Sequence, residues 1–86
     1  MEEKLNELKM CYNNLFGDEI VIQSYIEVLD YKEEVILSAN KEGLLHLIKA
    51  LINLCENGKH YHLDEAGMAN KCEKPLVIQL SCNEKK

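Results

Sequence analysis

Residues 40–58 read N-K-E-G-L-L-H-L-I-K-A-L-I-N-L-C-E-N-G, and this stretch limits the possible folds more than any other. Asn40 is a good N-cap, and Glu42 sits in the first turn, near the positive end of the helix dipole. Asn57-Gly58 supplies a left-handed stop. The pattern predicts a helix over Lys41–Glu56. Its polar residues Glu42, His46, Lys49, Asn53 and Glu56 are spaced four, three, four and three apart, which makes one narrow stripe. Nearly everything else is apolar: Leu44, Leu45, Leu47, Ile48, Leu51, Ile52, Leu54 and Cys55. One sheet covers about half of so wide an arc. An N-terminal helix or a second subunit has to cover the rest. Leu51 lies opposite the middle of the polar stripe and is expected in the core. His46, on the stripe, is expected to be solvated.

Strand patterns flank this helix. Ile20–Leu29 is rich in Ile, Val and Tyr, a strand composition, although its alternation is imperfect and part of it also reads as helix. Asp30–Glu33 reads as a turn, and Glu34–Ala39 as a second strand, so the two form a hairpin. Lys59–Asp64 alternates as a third strand. Glu65–Lys74 reads as a loop. Pro75 opens a fourth strand, Leu76–Cys82, where a missing amide donor does least harm. At the other end, Leu5, Leu8, Tyr12, Leu15 and Phe16 recur at helical spacing within Glu2–Phe16, and Gly17-Asp18 ends that packing helix. The fold class expected is α+β: an antiparallel sheet of about four strands packed on one long helix, with an additional N-terminal helix. Eighty-six residues make one domain, with residues 1–17 the first helix, 18–82 the core and 83–86 a frayed tail.

Composition narrows the function. Apolar residues make up 47%, too many for a disordered chain. A chain this short buries somewhat over roughly 60% of its unfolded surface, so a partner or a homodimer can matter to its stability. The net charge of −5 repels phosphates, which argues against nucleic acid and anionic membranes and favours a basic protein partner. No segment reaches the length of a membrane span. The acidic start Met1-Glu2-Glu3-Lys4 is unlike a secretory signal, so the expected location is cytoplasmic. There Cys11, Cys55, Cys72 and Cys82, which show no C-x-x-C spacing, are read as free, partly buried thiols.

The residues with the most chemistry are G-K-H-Y-H-L-D at 58–64. Strand alternation sends His60, His62 and Asp64 to one face, and Tyr61 and Leu63 to the other. Such a row, with the acidic loop start at Glu65, suits a partner-binding surface. A metal would need a third ligand from Asp64, Cys72 or Cys82, and the spacing does not supply one, so neither a metal nor a cofactor is expected. A Cys–His nucleophile would need Cys72 or Cys82 beside an imidazole. No phosphate loop, nucleophile elbow or H-E-x-x-H is present, so no catalytic residue is assigned and the chain is read as not an enzyme.

Three segments together resemble a known family: S-A-N-K-E-G-L-L-H-L-I-K-A-L-I-N-L at Ser38–Leu54, G-K-H-Y-H-L-D-E at Gly58–Glu65, and L-V-I-Q-L at Leu76–Leu80. The chain is similar here to the immunity protein 32 family, small bacterial proteins of polymorphic toxin systems. The likeness covers about Glu34–Leu80. It implies an α+β fold and a non-enzymatic protein that binds and neutralises a cognate toxin, and it implies no catalytic residue. Two readings from other classes stand beside it: a small metal- or ligand-binding module using the His60/His62 face, and a dimeric structural adaptor.

Overall fold

The computed structural model describes residues 1–81. Helix α1 spans Glu2–Leu15 and α2 Glu19–Gln23. Strands β1 (Ile26–Tyr31) and β2 (Glu34–Ala39) follow, then helix α3 (Lys41–Asn57). Strands β3 (His60–Leu63), β4 (Lys71–Cys72) and β5 (Leu76–Gln79) complete the described chain. The fold is α+β. The expected strand end at Cys82 and the tail 83–86 lie outside the described residues.

Five strands form two small sheets, where one antiparallel sheet of four was expected. The first has the order β2-β1-β4, and the second pairs β3 with β5. β1 and β2 are antiparallel from Ile26↔Ala39 to Tyr31↔Glu34, as the hairpin reading requires. β4 runs parallel to β1, with Val28 opposite Cys72. It falls within the segment expected as loop, because side chains do part of its pairing. The Asn70 side-chain oxygen accepts from Ile26 N at 2.9 Å, and Glu73 Oε1 accepts from Asp30 N at 3.0 Å. The backbone amides of Asn70 and Glu73 donate to Ile26 O and Val28 O, both at 2.7 Å. A two-residue strand held in this way has no propensity signature.

The segment expected as a strand from Ile20 is split. Glu19–Gln23 coils into α2, whose one buried side chain, Ile20, is apolar, and the strand begins only at Ile26. Asn40 sets the break. Its side chain accepts from Gly43 N at 2.7 Å, capping α3, and from Tyr25 N at 2.9 Å, while it donates to Gln23 O at 2.9 Å. One residue thus fixes the start of α3 and the start of β1 together.

The dry centre is Ile26 and Val28 of β1, Leu47 of α3, Leu63 of β3 and Ala69. Gly43 lets α3 approach β1: a Cβ there would lie 2.6 Å from Tyr25 O and 2.9 Å from Ile26 Cγ1. Gly58 ends α3 as expected, but with extended backbone (φ −90°), not left-handed. It is small because a Cβ would meet Leu54 Cδ1 at 2.6 Å. The left-handed residue is instead Lys32, φ 59°, in the β1–β2 turn.

Leu51 is not a core residue. It is 37% exposed, and the buried positions of α3 are Gly43, Leu47, Ile52 and Leu54. The sheets take the Leu47–Leu54 side. α1 takes the next flank, with Tyr12 Oη donating to Leu45 O at 2.7 Å and Lys9 Nζ at 3.1 Å from Glu56 Oε1. Helix α2 packs on α3 as well, and beside these contacts Leu51 stays partly exposed. α1 itself is lightly attached: Tyr12 is its one buried residue, and Leu8 and Leu15 are exposed.

Candidate functional site

Extended backbone at Gly58 delivers the chain from α3 into β3, and pairing with β5 then fixes which way each side chain points. Tyr61 and Leu63 sit opposite Ile78 and Leu76 on the inner face, and all four pack in or against the core. His60 and His62 sit opposite Gln79 and Val77 on the outer face, and both are exposed. The two imidazoles meet edge to face, with ring centroids 4.9 Å apart. So the alternation read from the sequence holds for the histidines.

The two carboxylates, half-buried at Asp64 and exposed at Glu65, are both engaged by backbone amides. Asp64 Oδ1 accepts from Ala66 N and Gly67 N, both at 3.1 Å, and so closes the turn after β3. Glu65 Oε2 accepts from Cys72 N at 3.1 Å and ties the loop to β4. Each holds the loop behind the histidines.

A second feature adjoins His60. A cleft of about 360 Å³ opens between α3 and β3, lined among others by His46, Lys49, Asn53, Asn57, His60 and Tyr61. One wall is therefore the polar stripe of α3 that the sequence reading left to solvent. The stripe and the histidine strand are joined by the short Gly58 link, and that proximity was the available signal. His46 is half-buried and meets Ser24 Oγ at 3.3 Å. Burial, and secondarily the Lys49 charge, holds its imidazole below the ordinary histidine range. Burial, and secondarily the Asp64 charge, pushes the Tyr61 phenol up. The cleft wall offers an ammonium, imidazoles, amides and a phenol, and none of its lining residues is acidic. It suits a carboxylate or carbonyl group reaching in from a partner.

Cys72 Sγ lies 3.3 Å from Lys74 O and 3.7 Å from Leu63 O, so this thiol is engaged with backbone carbonyls. Cys11, Cys55 and Cys72 are free thiols, and Cys11 and Cys55, expected partly buried, are exposed. Cys82 lies outside the described residues. Among the described residues, no three His, Cys, Asp or Glu side chains group closely enough to hold a metal ion, and no helix is long and apolar enough to cross a membrane.

A family model described as immunity protein 32 matches residues 34–81, more than half of the chain. The matched segment runs from the first residue of β2 past the end of β5, and it includes α3, the histidine strand and every residue lining the cleft. No curated protein and no solved structure matches the chain.

Proposed function

The chain belongs to the immunity protein 32 family, and from that premise we propose that it binds and neutralises a cognate bacterial toxin without catalysing a reaction. The family match carries this reading. The surface we assign to the toxin is the outer face of β3, with His60 and His62, together with the mouth of the cleft. Asp64 and Glu65 belong to the assigned surface as its acidic margin. Their hydrogen bonds to Ala66, Gly67 and Cys72 hold the loop in shape beside the histidines.

Three properties support the choice. Tyrosine is enriched at interfaces, and histidine shares its apolar ring with a polar edge, which suits partly apolar contacts. The cleft gives a partner side chain a concave seat. The net charge of −5 steers a basic toxin towards the protein from a distance, while the local donors of the cleft fix its orientation. A cytoplasmic site of action fits such an inhibitor.

The test is co-expression with candidate toxins from the same strain, scored by survival and co-purification. A toxin that kills alone, is silenced by this protein and elutes with it is the expected outcome. Survival without any physical complex would sink the binding mechanism. Stoichiometric metal in the purified protein would favour the ligand-module reading instead.

A further inference from the structure

The edge of β2 is built to accept another strand. Strand residues alternate the direction of their backbone groups. Ile26 O and Val28 O accept from Asn70 N and Glu73 N, so those residues of β1 face β4, and Glu27 and Leu29 face β2. Their partners Ser38 and Ile36 therefore face β1, as does Asn40, whose N–H donates to Tyr25 O at 3.0 Å. The N–H and C=O groups of Val35, Leu37 and Ala39 point away from the sheet, and among the described residues β2 has no strand neighbour but β1. Exposed edges are normally blunted by proline, lysine, a bulge or shortness. β2 is six residues long, pairs without a bulge, and reads E-V-I-L-S-A.

α3 leaves an apolar stripe open on the same flank. Leu44, Ile48, Leu51 and Cys55, spaced four, three and four apart, are all exposed. The opposite flank of α3 borders the cleft and β3, and β3 lies by β4, since Cys72 Sγ is 3.7 Å from Leu63 O. The stripe thus looks towards the β2 end of the sheet. The accessible surface is 6564 Å², against about 5,200 Å² for a compact monomer of this size. The surplus, about 1,400 Å², exceeds the roughly 800 Å² per partner that one standard interface removes.

We infer that a second copy of this chain covers this flank, through antiparallel pairing of β2 with β2 about a two-fold axis at Leu37. Side chains that face each other across an antiparallel ladder must share a sheet face, and this register meets that condition. Leu37 meets Leu37, and Val35 meets Ala39. The same register sets Glu34 opposite Asn40 and, continued past the strand ends, brings Glu33 of the turn towards Lys41 at the start of α3 of the other copy, acid against base at both ends of the ladder. That self-complementarity selects a second copy over a foreign strand, because an isologous interface needs one patch to match itself. The net charge of −5 per copy opposes association at long range, and the apolar row outweighs it.

The test uses the purified full chain alone, without toxin, so it stands or falls separately from the proposed function. Sedimentation equilibrium at micromolar loading is expected to give a dimer. Lys41→Glu should weaken it about tenfold through like-charge contact with Glu33 and Glu34. An acid at that helix start suits the dipole, so the folded monomer is not harmed. Adding Glu33→Lys and Glu34→Lys should restore the dimer. Val35→Pro, which removes an outward-facing N–H, should abolish it. A monomer at all loadings overturns the inference, as does a dimer indifferent to these changes. A foreign strand seated on β2 of a monomeric chain overturns it too.

Discussion

Two flanks of α3 carry the same kind of residue and meet different fates. Leu47 and Leu54 are buried at 9% and 8% exposure, while Leu44 and Ile48 are exposed at 49% and 42%. No propensity or hydropathy scale separates them. What differs is whether a described element lies against each flank. Apolar periodicity therefore reports how much of a helix avoids water. It does not report whether the cover comes from the same chain.

The largest effects should fall on the packed side. Leu63→Ala, at a fully buried position of β3, is expected to cost about 2–5 kcal/mol. Leu51→Ala, at 37% exposure on the open flank, should cost less, about 1–2 kcal/mol of monomer stability, since less burial is lost. Urea denaturation of both variants at one dilute concentration decides the matter. Equal losses would erase the distinction between the flanks.

Asn40→Ala comes next. It deletes a helix cap together with the clamp on Tyr25 and Gln23, and should cost about 1–2 kcal/mol. A near-silent change would mean that α2 and β1 are positioned by something other than this residue. In the opposite direction, Lys32→Gly should add about 0.5–1 kcal/mol, because a lysine at φ 59° pays for a left-handed backbone that glycine adopts freely.

The smallest effect concerns pH. The folded pKa of His46 lies below its usual value of 6.5, so the unfolded chain takes up its proton first. Stability is then full above about 6.5 and declines as pH falls through that value towards the lower folded pKa. His46→Asn should flatten the decline of the thermal midpoint over this window. An unchanged slope would assign it to other groups.

The sequence was most legible where one residue does one job. The bounds of α3, the β1–β2 hairpin and the outward direction of His60 and His62 all follow from caps, turns and alternation. Reading failed where a polar side chain takes over a backbone role. Asn70 and Glu73 act as parts of a strand and hide β4, and Asn40 holds Gln23 and Tyr25 across a break that the Ile- and Val-rich composition masks. It failed again for Asp64, which an alternating strand places beside the histidines but whose carboxylate turns to cap Ala66 and Gly67. The cleft was missed because its walls come from two elements, each unremarkable alone. Leu51 departs from the core because, although the helix phase is correct, the described elements cover it only in part.

The most direct test of the account is the affinity of a co-purified toxin, measured by calorimetry, for the wild-type protein and for the His60→Ala/His62→Ala variant. Both side chains are exposed and neither supports the core, so the melting temperature of the variant should match wild type. Affinity should fall about tenfold or more if these residues sit at the centre of the contact. Full affinity in a variant with native stability would contradict the assignment of the toxin to the outer face of β3.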